Sequence, residues 1–492
     1  MSHLKHIRVI APLTVFLVIL TVMATVGGRL VRASTTITPL VTVSSPSLYA
    51  TCTIGGPGTN YVNAEVEPYV AVNPANTSNI IGVWQQDRWS NGGAHGLVAG
   101  VSTDGGSTWT KVSLPFSQCA GGLDYQRASD PWVSFGPDGT AYAVSISFDG
   151  TDNKNAVGAA TSTDGGQTWD HLQTIVSYTS NGGQFFTDKE SVTADPVKAG
   201  TAYTVWDTLV APTDRPDDNP HTSAFTGDAY FSQTTNGGRT WSTPKVIVHT
   251  KQNTQTIGNQ IVVDPRNGTL YDFFDLILHP TGKAFNVAFV KSTDGGSTWT
   301  QPQIISKLGT VFVTDPNTGQ AIRTGDIIPE PAIDPKTGQL YVVWQDARFN
   351  GGHFDEVALS TSTDGGNHWR APIRVNTPHG RPAFTPSINV NASGTVGVTY
   401  YDFRNLTTQT TTLPTDYWFT SSTDGGGTFG NETHLAGSFD MLTAPFASGF
   451  FVGDYEGLAT SGNTNTFVSL FVQANSGNTA NRTDVFTTSV TP

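Results

Sequence analysis

The strongest constraint on the fold is a short string that returns six times. It reads Ser-Thr-Asp-Gly-Gly-Ser-Thr-Trp at residues 102–109, and the same frame begins again at Ser162, Thr234, Ser292, Ser362 and Ser422. Asn236 replaces the aspartate in the third copy, and Phe429 replaces the tryptophan in the last. The starts lie 60, 72, 58, 70 and 60 residues apart. Each copy sits between alternating apolar stretches, such as 97–101 before the first and 111–114 after it, so each is predicted to be a hairpin turn. An aspartate can accept hydrogen bonds from turn amides, paired glycines tolerate positive φ, and a tryptophan can pack back between strands.

A second string recurs upstream of the turns: an acid or Asn, often Pro, then alternating apolar residues, then Asn or Asp with Pro or Gly. Copies lie at 67–74, 130–139, 190–196, 259–265, 330–335 and 385–394, and a seventh begins at Asp454. The seventh is followed by strand-like stretches at 466–472 and 484–490 but lacks the final turn and fourth strand. Residues 37–43 read like the fourth strands at 302–306 and 372–376 and supply the missing one. This arrangement predicts an all-β, seven-bladed β-propeller of four-stranded blades closed by an N-terminal strand, a closure that also removes exposed sheet edges. Counting the six turns alone gives six blades instead.

The composition suits such a fold. Only 13% of residues are charged while 52 are glycine and 11 tryptophan, which is poor material for helices. With 26 basic against 39 acidic residues the chain carries a formal charge of −13. No clustered cationic surface is expected, which argues against nucleic acid and anionic membranes as partners. Lys5 and Arg8 precede an apolar stretch over 9–26, and Val31 and Ala33 provide small residues before Ser34. Residues 1–33 are therefore expected to be a signal peptide and 34–492 a single secreted, monomeric domain; an uncleaved membrane anchor is the alternative. No later segment is long and apolar enough to span a membrane, so no transmembrane segment is expected in the mature chain.

The frame Ser-x-Asp-x-Gly-x-x-Trp resembles the Asp box, or BNR repeat, of the sialidase superfamily. The strings Trp344-Gln345-Asp346-Ala347-Arg348 and Gly453-Asp454-Tyr455-Glu456-Gly457-Leu458 are similar to those of secreted bacterial sialidase-like proteins. The resemblance implies a propeller and a carbohydrate or glycoconjugate as ligand. Enzymes of this superfamily hold a substrate carboxylate with three arginines, use a tyrosine activated by a glutamate as nucleophile, and use an aspartate as acid and base. Two departures stand out. The family's Phe/Tyr-Arg-Ile-Pro string should fall at 64–68, where Val66 and Glu67 precede Pro68 instead, and the family enzymes are six-bladed.

Strand polarity sorts the remaining residues by face. With the recurring turns at the bottom, first-strand starts and second-strand ends lie on top, and that face collects much of the chain's charge. Its candidates for a carboxylate clamp are Arg127, Arg348 and Arg404, with Arg88 in reserve, because a guanidinium can bind a carboxylate bidentately. Tyr455 is the candidate nucleophile, Glu330 its base and Asp130 the acid. Glu67, Glu190 and Glu456 are expected to line the same pocket. Pairs such as Asp346 with Arg348 and Asp402 with Arg404 also suit inter-blade ion pairing. A ring of Glu67, Asp130, Glu190, Glu330 and Asp454 would suit a structural calcium, although no calcium-loop spacing is present; no other cofactor or metal is expected. Cys52 and Cys119 fall in neighbouring top connections and are expected to form a disulfide that staples the closure. The expected function is that of a secreted, exo-sialidase-like glycoside hydrolase. The alternative is a non-catalytic propeller that binds glycans or proteins.

Overall fold

In the alternating run Ile80-Ile81-Gly82-Val83-Trp84, successive side chains face opposite sides of a sheet, and both sides are buried. Such strands must lie between other sheets, and the strand order shows how. The computed structural model describes residues 35–152, 154–179, 185–211, 226–278, 284–462 and 464–492. The expected signal peptide over 1–33 lies outside the described residues.

After the short strands β1 (Thr36–Ile37) and β2 (Val41–Thr42), strands follow in antiparallel sets of four. The first set is β3 (Glu65–Val72), β4 (Ile80–Arg88), β5 (Ala94–Ser102) and β6 (Thr110–Leu114), and the second is β7 (Arg127–Phe135), β8 (Ala141–Phe148), β9 (Asn155–Ser162) and β10 (Asp170–Tyr178). The third comprises β11 (Phe185–Ala194), β12 (Ala202–Val210), β13 (Thr226–Thr234) and β14 (Lys245–Val248). The fourth comprises β15 (Thr254–Val263), β16 (Leu270–Leu278), β17 (Asn286–Ser292) and β18 (Gln303–Lys307). A short strand β19 (Ile322–Arg323) precedes the fifth set, β20 (Glu330–Ile333), β21 (Leu340–Asp346), β22 (Glu356–Ser362) and β23 (Ile373–Arg374). The sixth set is β24 (Ala383–Val390), β25 (Val396–Asp402), β26 (Pro414–Ser422) and β27 (Thr433–Asp440). After β28 (Phe450–Phe451), which pairs with β19 in parallel, the chain ends in β29 (Gly457–Thr460), β30 (Phe467–Ala474) and β31 (Thr483–Thr491). Both β1 and β2 pair antiparallel with β31, so the two ends of the described chain share a sheet.

First strands of successive sets lie side by side, β3 against β7, β7 against β11, and so on to β24 against β29, and β29 returns to β3. The core lies between adjacent sheets. Ile81, Val83 and Leu97 of the first set pack with Val133, Ala141 and Ala143 of the second. Trp84, Trp206 and Trp344, on the second strands of three sets, are fully buried. Large aromatic side chains suit this task because each removes much apolar area from water.

The recurring turn is a closed hydrogen-bond unit. The Ser102 hydroxyl donates to Asp104 Oδ1 at 2.8 Å and accepts from the Gly106 amide at 2.9 Å. Asp104 Oδ1 accepts from the Ser107 and Thr108 amides, and Oδ2 accepts from the Thr108 hydroxyl at 2.6 Å. Gly105 and Gly106 adopt φ of 75° and 93°, conformations that a side chain would strain. The Trp109 indole donates to the Gly106 carbonyl at 3.0 Å, so the ring folds back over its own turn. Among the described residues no helix is long and apolar enough to cross a membrane.

Candidate functional site

The opposite ends of the first strands carry a recurring irregularity. In β3, β7, β11, β15 and β24 the register against the second strand shifts at one place. The residues there have positive φ: Glu67 at 54°, Asp130 at 50°, Lys189 at 46°, Gly258 at 74° and Thr385 at 47°. For the four that are not glycine this left-handed conformation costs on the order of 1–3 kcal/mol each. A bulge at such a place re-aims a side chain away from the ordinary pleat. Here it turns Glu67, Asp130 and Lys189 towards one another.

The Lys189 ammonium lies 2.7 Å from Asp130, 2.9 Å from Asp454 and 3.0 Å from Glu67. One cation from the third set thus ties together carboxylates from the first set, the second, and the segment leading into β29. Arg323, beside β28, holds Asp454 from the other side, with Nε at 3.1 Å from Oδ1 and an Nη at 2.6 Å from Oδ2. The guanidiniums of Arg323 and Arg88 both lie over the Phe451 ring, at 4.3 and 5.0 Å from its centroid. Arg88 also donates to Gln85 Oε1 at 2.7 Å, and Gln85 in turn donates to Glu67.

Burial and charge divide these groups. Burial opposes the charge on Lys189, but Asp130, Asp454 and Glu67 outweigh it and hold its pKa well above the usual lysine range. Burial likewise opposes ionisation of Asp454, yet Arg323 and Lys189 keep its carboxyl well below the usual carboxylate range. Glu67 is pushed the other way, up to about 8, by burial and by the Asp130 charge, with Lys189 offsetting part of the rise. Glu190 is raised well above its ordinary value by burial and then by Asp130. Neither carboxyl oxygen of Glu190 has a hydrogen-bond partner.

A small cavity lies against this cluster, lined by Trp132, Lys189, Glu190, Asn259, Gln260 and Tyr455 among others. Its free space of about 10 Å³ suits about one water molecule, or one hydroxyl group. Trp132 is stacked on Tyr69 at 3.7 Å and tilted against Tyr455 at 5.1 Å, so one wall is aromatic.

The residues expected from the sequence are distributed as follows. Asp130, Glu67, Glu190 and Tyr455 meet around Lys189 and the cavity. Tyr455 is only 3% exposed, its hydroxyl comes no nearer than 3.5 Å to the Pro131 carbonyl, and burial followed by Glu67, Asp130 and Glu190 raises its pKa well above the usual phenol range. No hydrogen bond joins Glu330 to Tyr455. The Glu330 carboxyl accepts from Gln260 at 3.0 Å, and burial lifts it to about 8. Glu456 is fully buried beside the Tyr401 hydroxyl, 2.9 Å away, within the aromatic packing of Tyr401 and Tyr417.

The three clamp candidates do not converge on one point, because each is held by its own surroundings. Arg127 donates to the carbonyls of Gly55, Pro57 and Gly92 and to Asn91 Oδ1, and stacks on Trp89 at 4.4 Å. Arg348 binds Asp346 at 2.6 Å and Ser306 at 3.0 Å. Arg404 binds Asp402 at 2.6 Å and Glu432 at 2.7 Å while lying 3.5 Å from the Trp418 centroid. Asp346 with Arg348 and Asp402 with Arg404 are therefore pairs within a set, although Arg348 also reaches Ser306 of the preceding one. Of the five acids suggested as a calcium ring, Glu67, Asp130 and Asp454 converge on the Lys189 ammonium, and among the described residues no group of three or more His, Cys, Asp or Glu is arranged to hold a metal. Cys52 and Cys119 are joined in a disulfide across 67 residues.

Two charged groups at the centre were not assigned a role from the sequence. Lys189 stood between two acids at a first-strand start, and Arg323 stood in the long connection 307–329. The length of that connection was the one available signal for Arg323.

Residues 228–328 match the model of a family described as a BNR repeat-like domain. No curated protein matches the chain. Among solved structures, a Hadza microbial sialidase is 15% identical, with 92% of this chain and 94% of that one covered and a TM-score of 0.48. The Penicillium chrysogenum alpha-L-arabinanase is 14% identical over 74% of this chain and 94% of that one, with a TM-score of 0.47. A Dyadobacter fermentans protein of unknown function is 12% identical over 92% and 99%, with a TM-score of 0.44. The described residues are all-β, and residues 228–328 carry BNR repeat-like sequence.

Proposed function

We propose that this protein is a secreted, monomeric, seven-bladed β-propeller, closed by its N-terminal strand, that acts on carbohydrate as a glycoside hydrolase at the Lys189 cluster. The pairing of β1 and β2 with β31, and the return of β29 to β3, support the blade count and the closure. The BNR repeat-like match supports the carbohydrate class.

The observation that carries the reaction is the contrast between Glu190 and Asp130. Glu190 is buried and unpartnered by any other side chain, and burial raises its pKa well above the usual carboxylate range, while Asp130 lies 2.7 Å from an ammonium. A neutral carboxylic acid beside an ion-paired carboxylate is the division of labour that two-carboxylate glycoside hydrolysis uses. In this assignment Glu190 donates the proton to the departing glycosidic oxygen. Asp130, positioned by Lys189, takes a proton from a water molecule whose oxygen bonds to the anomeric carbon as the glycosidic bond breaks. The proton-donor role expected of Asp130 suits Glu190 better, because the Asp130 carboxylate is engaged by the Lys189 ammonium at 2.7 Å. The sialidase form of the reaction, with Tyr455 as nucleophile and Glu330 as base, has less support from the geometry: the phenol is held protonated and Glu330 is bonded to Gln260.

Hydrolysis of a panel of chromogenic glycosides by the purified protein tests the assignment. Glu190→Gln is expected to lower kcat by roughly 100-fold or more on whichever glycoside is cleaved, whereas Tyr455→Phe leaves most of it. Loss of turnover in Tyr455→Phe with Glu190→Gln active would return the reaction to the tyrosine scheme. A second function is favoured by the committed arginines, namely glycan binding without turnover. Binding on a glycan array, with no glycoside cleaved by the folded protein, would establish it.

A further inference from the structure

The third copy of the recurring turn departs from the others at two positions, and both departures line one cleft. It reads Thr-Thr-Asn-Gly-Gly-Arg-Thr-Trp over residues 234–241. Asn236 stands where the other five copies have aspartate, and Arg239 stands where they have Ser, Gln, Ser, Asn and Gly. Relative to the first copy, with Asp104 and Ser107, the formal charge of the turn moves from −1 to +1. The turn closes without the aspartate, because Asn236 Oδ1 accepts from the Thr240 amide at 3.0 Å. Its own bonding therefore does not account for the change of charge.

The cleft lies between the second and third strand sets, at the end that carries the recurring turns and so away from the Lys189 cluster. Its walls include Asp138, Thr163, His171, Gly200, Asn236 and Arg239, and its volume of about 320 Å³ suits a ligand the size of one sugar residue. The walls brace one another. The Gly237 amide donates to the Gly200 carbonyl at 2.9 Å, and Gln173 Nε2, two residues beyond His171, donates to the Gly238 carbonyl at 3.1 Å. A cleft held in this way loses little freedom when a ligand enters. His171 has a φ of 53° at a register shift in β10, a left-handed conformation that is costly for a residue with a side chain and turns it out of the ordinary pleat.

The charges of the cleft are divided between its walls. Arg239 is exposed, donates through one Nη to the Asn236 carbonyl at 3.2 Å, and among the described residues makes no ion pair. Asp164 of the adjoining second turn is held by that turn, where it accepts from the Ser162 hydroxyl and from the Thr168 amide and hydroxyl. Asp138 accepts from the Thr140 amide at 3.2 Å and offers the cleft its remaining acceptor positions. A ligand that fits both charged groups brings an anionic group to the guanidinium and donors to the carboxylate. We propose that this cleft is a second, non-catalytic site for an anionic sugar residue, with the carboxylate or sulfate of the sugar against Arg239 and its hydroxyls donating to Asp138. The planar fork of a guanidinium suits either anionic group, and a sugar supplies hydroxyl donors on the same small ring. The site stands apart from the Lys189 cluster and does not depend on the reaction assigned there.

Calorimetry with a uronic acid oligosaccharide, a sulfated one and a neutral one of the same length tests the site. At low ionic strength an anionic oligosaccharide is expected to bind about 3- to 10-fold more tightly than the neutral one, the size of one partly solvated charge-assisted hydrogen bond, and to lose that advantage in high salt. Tighter binding of the uronic acid identifies the group as a carboxylate, and the reverse order identifies it as a sulfate. Asn236→Asp combined with Arg239→Ser matches the third turn to the first at both positions, so the melting temperature should stay within a few degrees of the parent while the anionic preference disappears. Arg239→Ser alone, which leaves Asn236 in place, should remove most of it. Cleavage of any glycoside at the Lys189 cluster should be unchanged in both variants, which separates this site from the one proposed above. Equal binding of neutral and anionic oligosaccharides, binding of none of them, or a preference that persists in the folded variants would overturn the proposal.

Discussion

Two regions at opposite ends of the strands solve the placing of acidic side chains in opposite ways. In the recurring turns an exposed aspartate accepts from amides and hydroxyls three or four residues away, and that local set of donors holds Asp104 and Asp294 down to about 2. At the Lys189 cluster the acids are buried, their partners come from distant strands, and burial pushes Glu67 and Glu330 up to about 8. The same functional group is a reliable anion in one place and close to a neutral acid in the other. Local hydrogen bonding favours the charged form without desolvating it, whereas burial penalises the charge unless a specific counter-ion is supplied.

The largest expected effect breaks the buried side of this comparison. Lys189→Met keeps the length of the side chain and removes its charge, leaving Glu67, Asp130 and Asp454 facing one another. Removing one partner of a buried ionic group costs about 3–5 kcal/mol, and denaturant unfolding should show a loss of that size at neutral pH. Part of the loss should return at mildly acidic pH as the orphaned carboxyls take up protons. A variant as stable as the parent at neutral pH would mean that the ammonium does not hold the three acids together.

The two regions also differ in how far they could be read from the sequence. The turn is legible because its partners are contiguous: Ser102, Asp104, Gly106 and Thr108 make their bonds to one another, and the string repeats with the strands. The strand sets follow, since alternation and turn spacing are local properties too. At the cluster, Lys189 bonds to residues 59, 122 and 265 positions away. Nothing near it in the chain marks it as a hub. Strand polarity placed Glu67, Asp130, Glu190 and Tyr455 on the right face, but not the bulges that turn them inward. It also put Arg127, Arg348 and Arg404 first by residue type, whereas of the two arginines that reach the centre Arg88 was only in reserve and Arg323 arrives on an irregular connection. Periodicity says where strands run; the re-aiming of single residues by a positive φ leaves no such trace.

A smaller effect follows from the raised acids. Glu67 and Glu330 at about 8 and Asp326 at about 7 bind protons in the folded state that the unfolded chain has released above roughly pH 4.5. The folded state then holds more protons than the unfolded one, so stability falls as pH rises from about 4.5 to 8. The melting temperature should be higher at pH 5 than at pH 8. Glu330→Gln sharpens the test, because the amide keeps a polar partner for Gln260 and removes one ionisation, and the variant should show a shallower decline. A melting temperature that rises over this interval, or a slope unaltered by the substitution, would contradict the burial of Glu330 as a neutral acid. The depressed Asp454 works in the other direction and outside this window. Its contribution is present above the ordinary aspartate pKa and is lost as pH falls below it.

The smallest effect is expected at the turn, and the sequence already contains the experiment. Asn236 occupies the aspartate position of the third copy: its Oδ1 accepts from the Thr240 amide at 3.0 Å and its Nδ2 donates to the Thr240 hydroxyl at 2.8 Å. An amide therefore closes the turn by reversing one hydrogen bond, with the threonine hydroxyl changing from donor to acceptor. Asp104→Asn should do the same with Thr108, and its melting temperature at pH 7 should match the parent within measurement error. The difference should emerge only in acid. The folded turn holds Asp104 down to about 2, so its charge favours folding above the ordinary aspartate value near 3.9 and ceases to do so as pH drops through about 2. The asparagine variant lacks that dependence, and the gap between the two proteins should change between pH 5 and pH 2.5. A large loss at pH 7 would mean that the turn needs the charge itself, and the contrast between a forgiving local turn and an unforgiving buried cluster would fail from the turn's side.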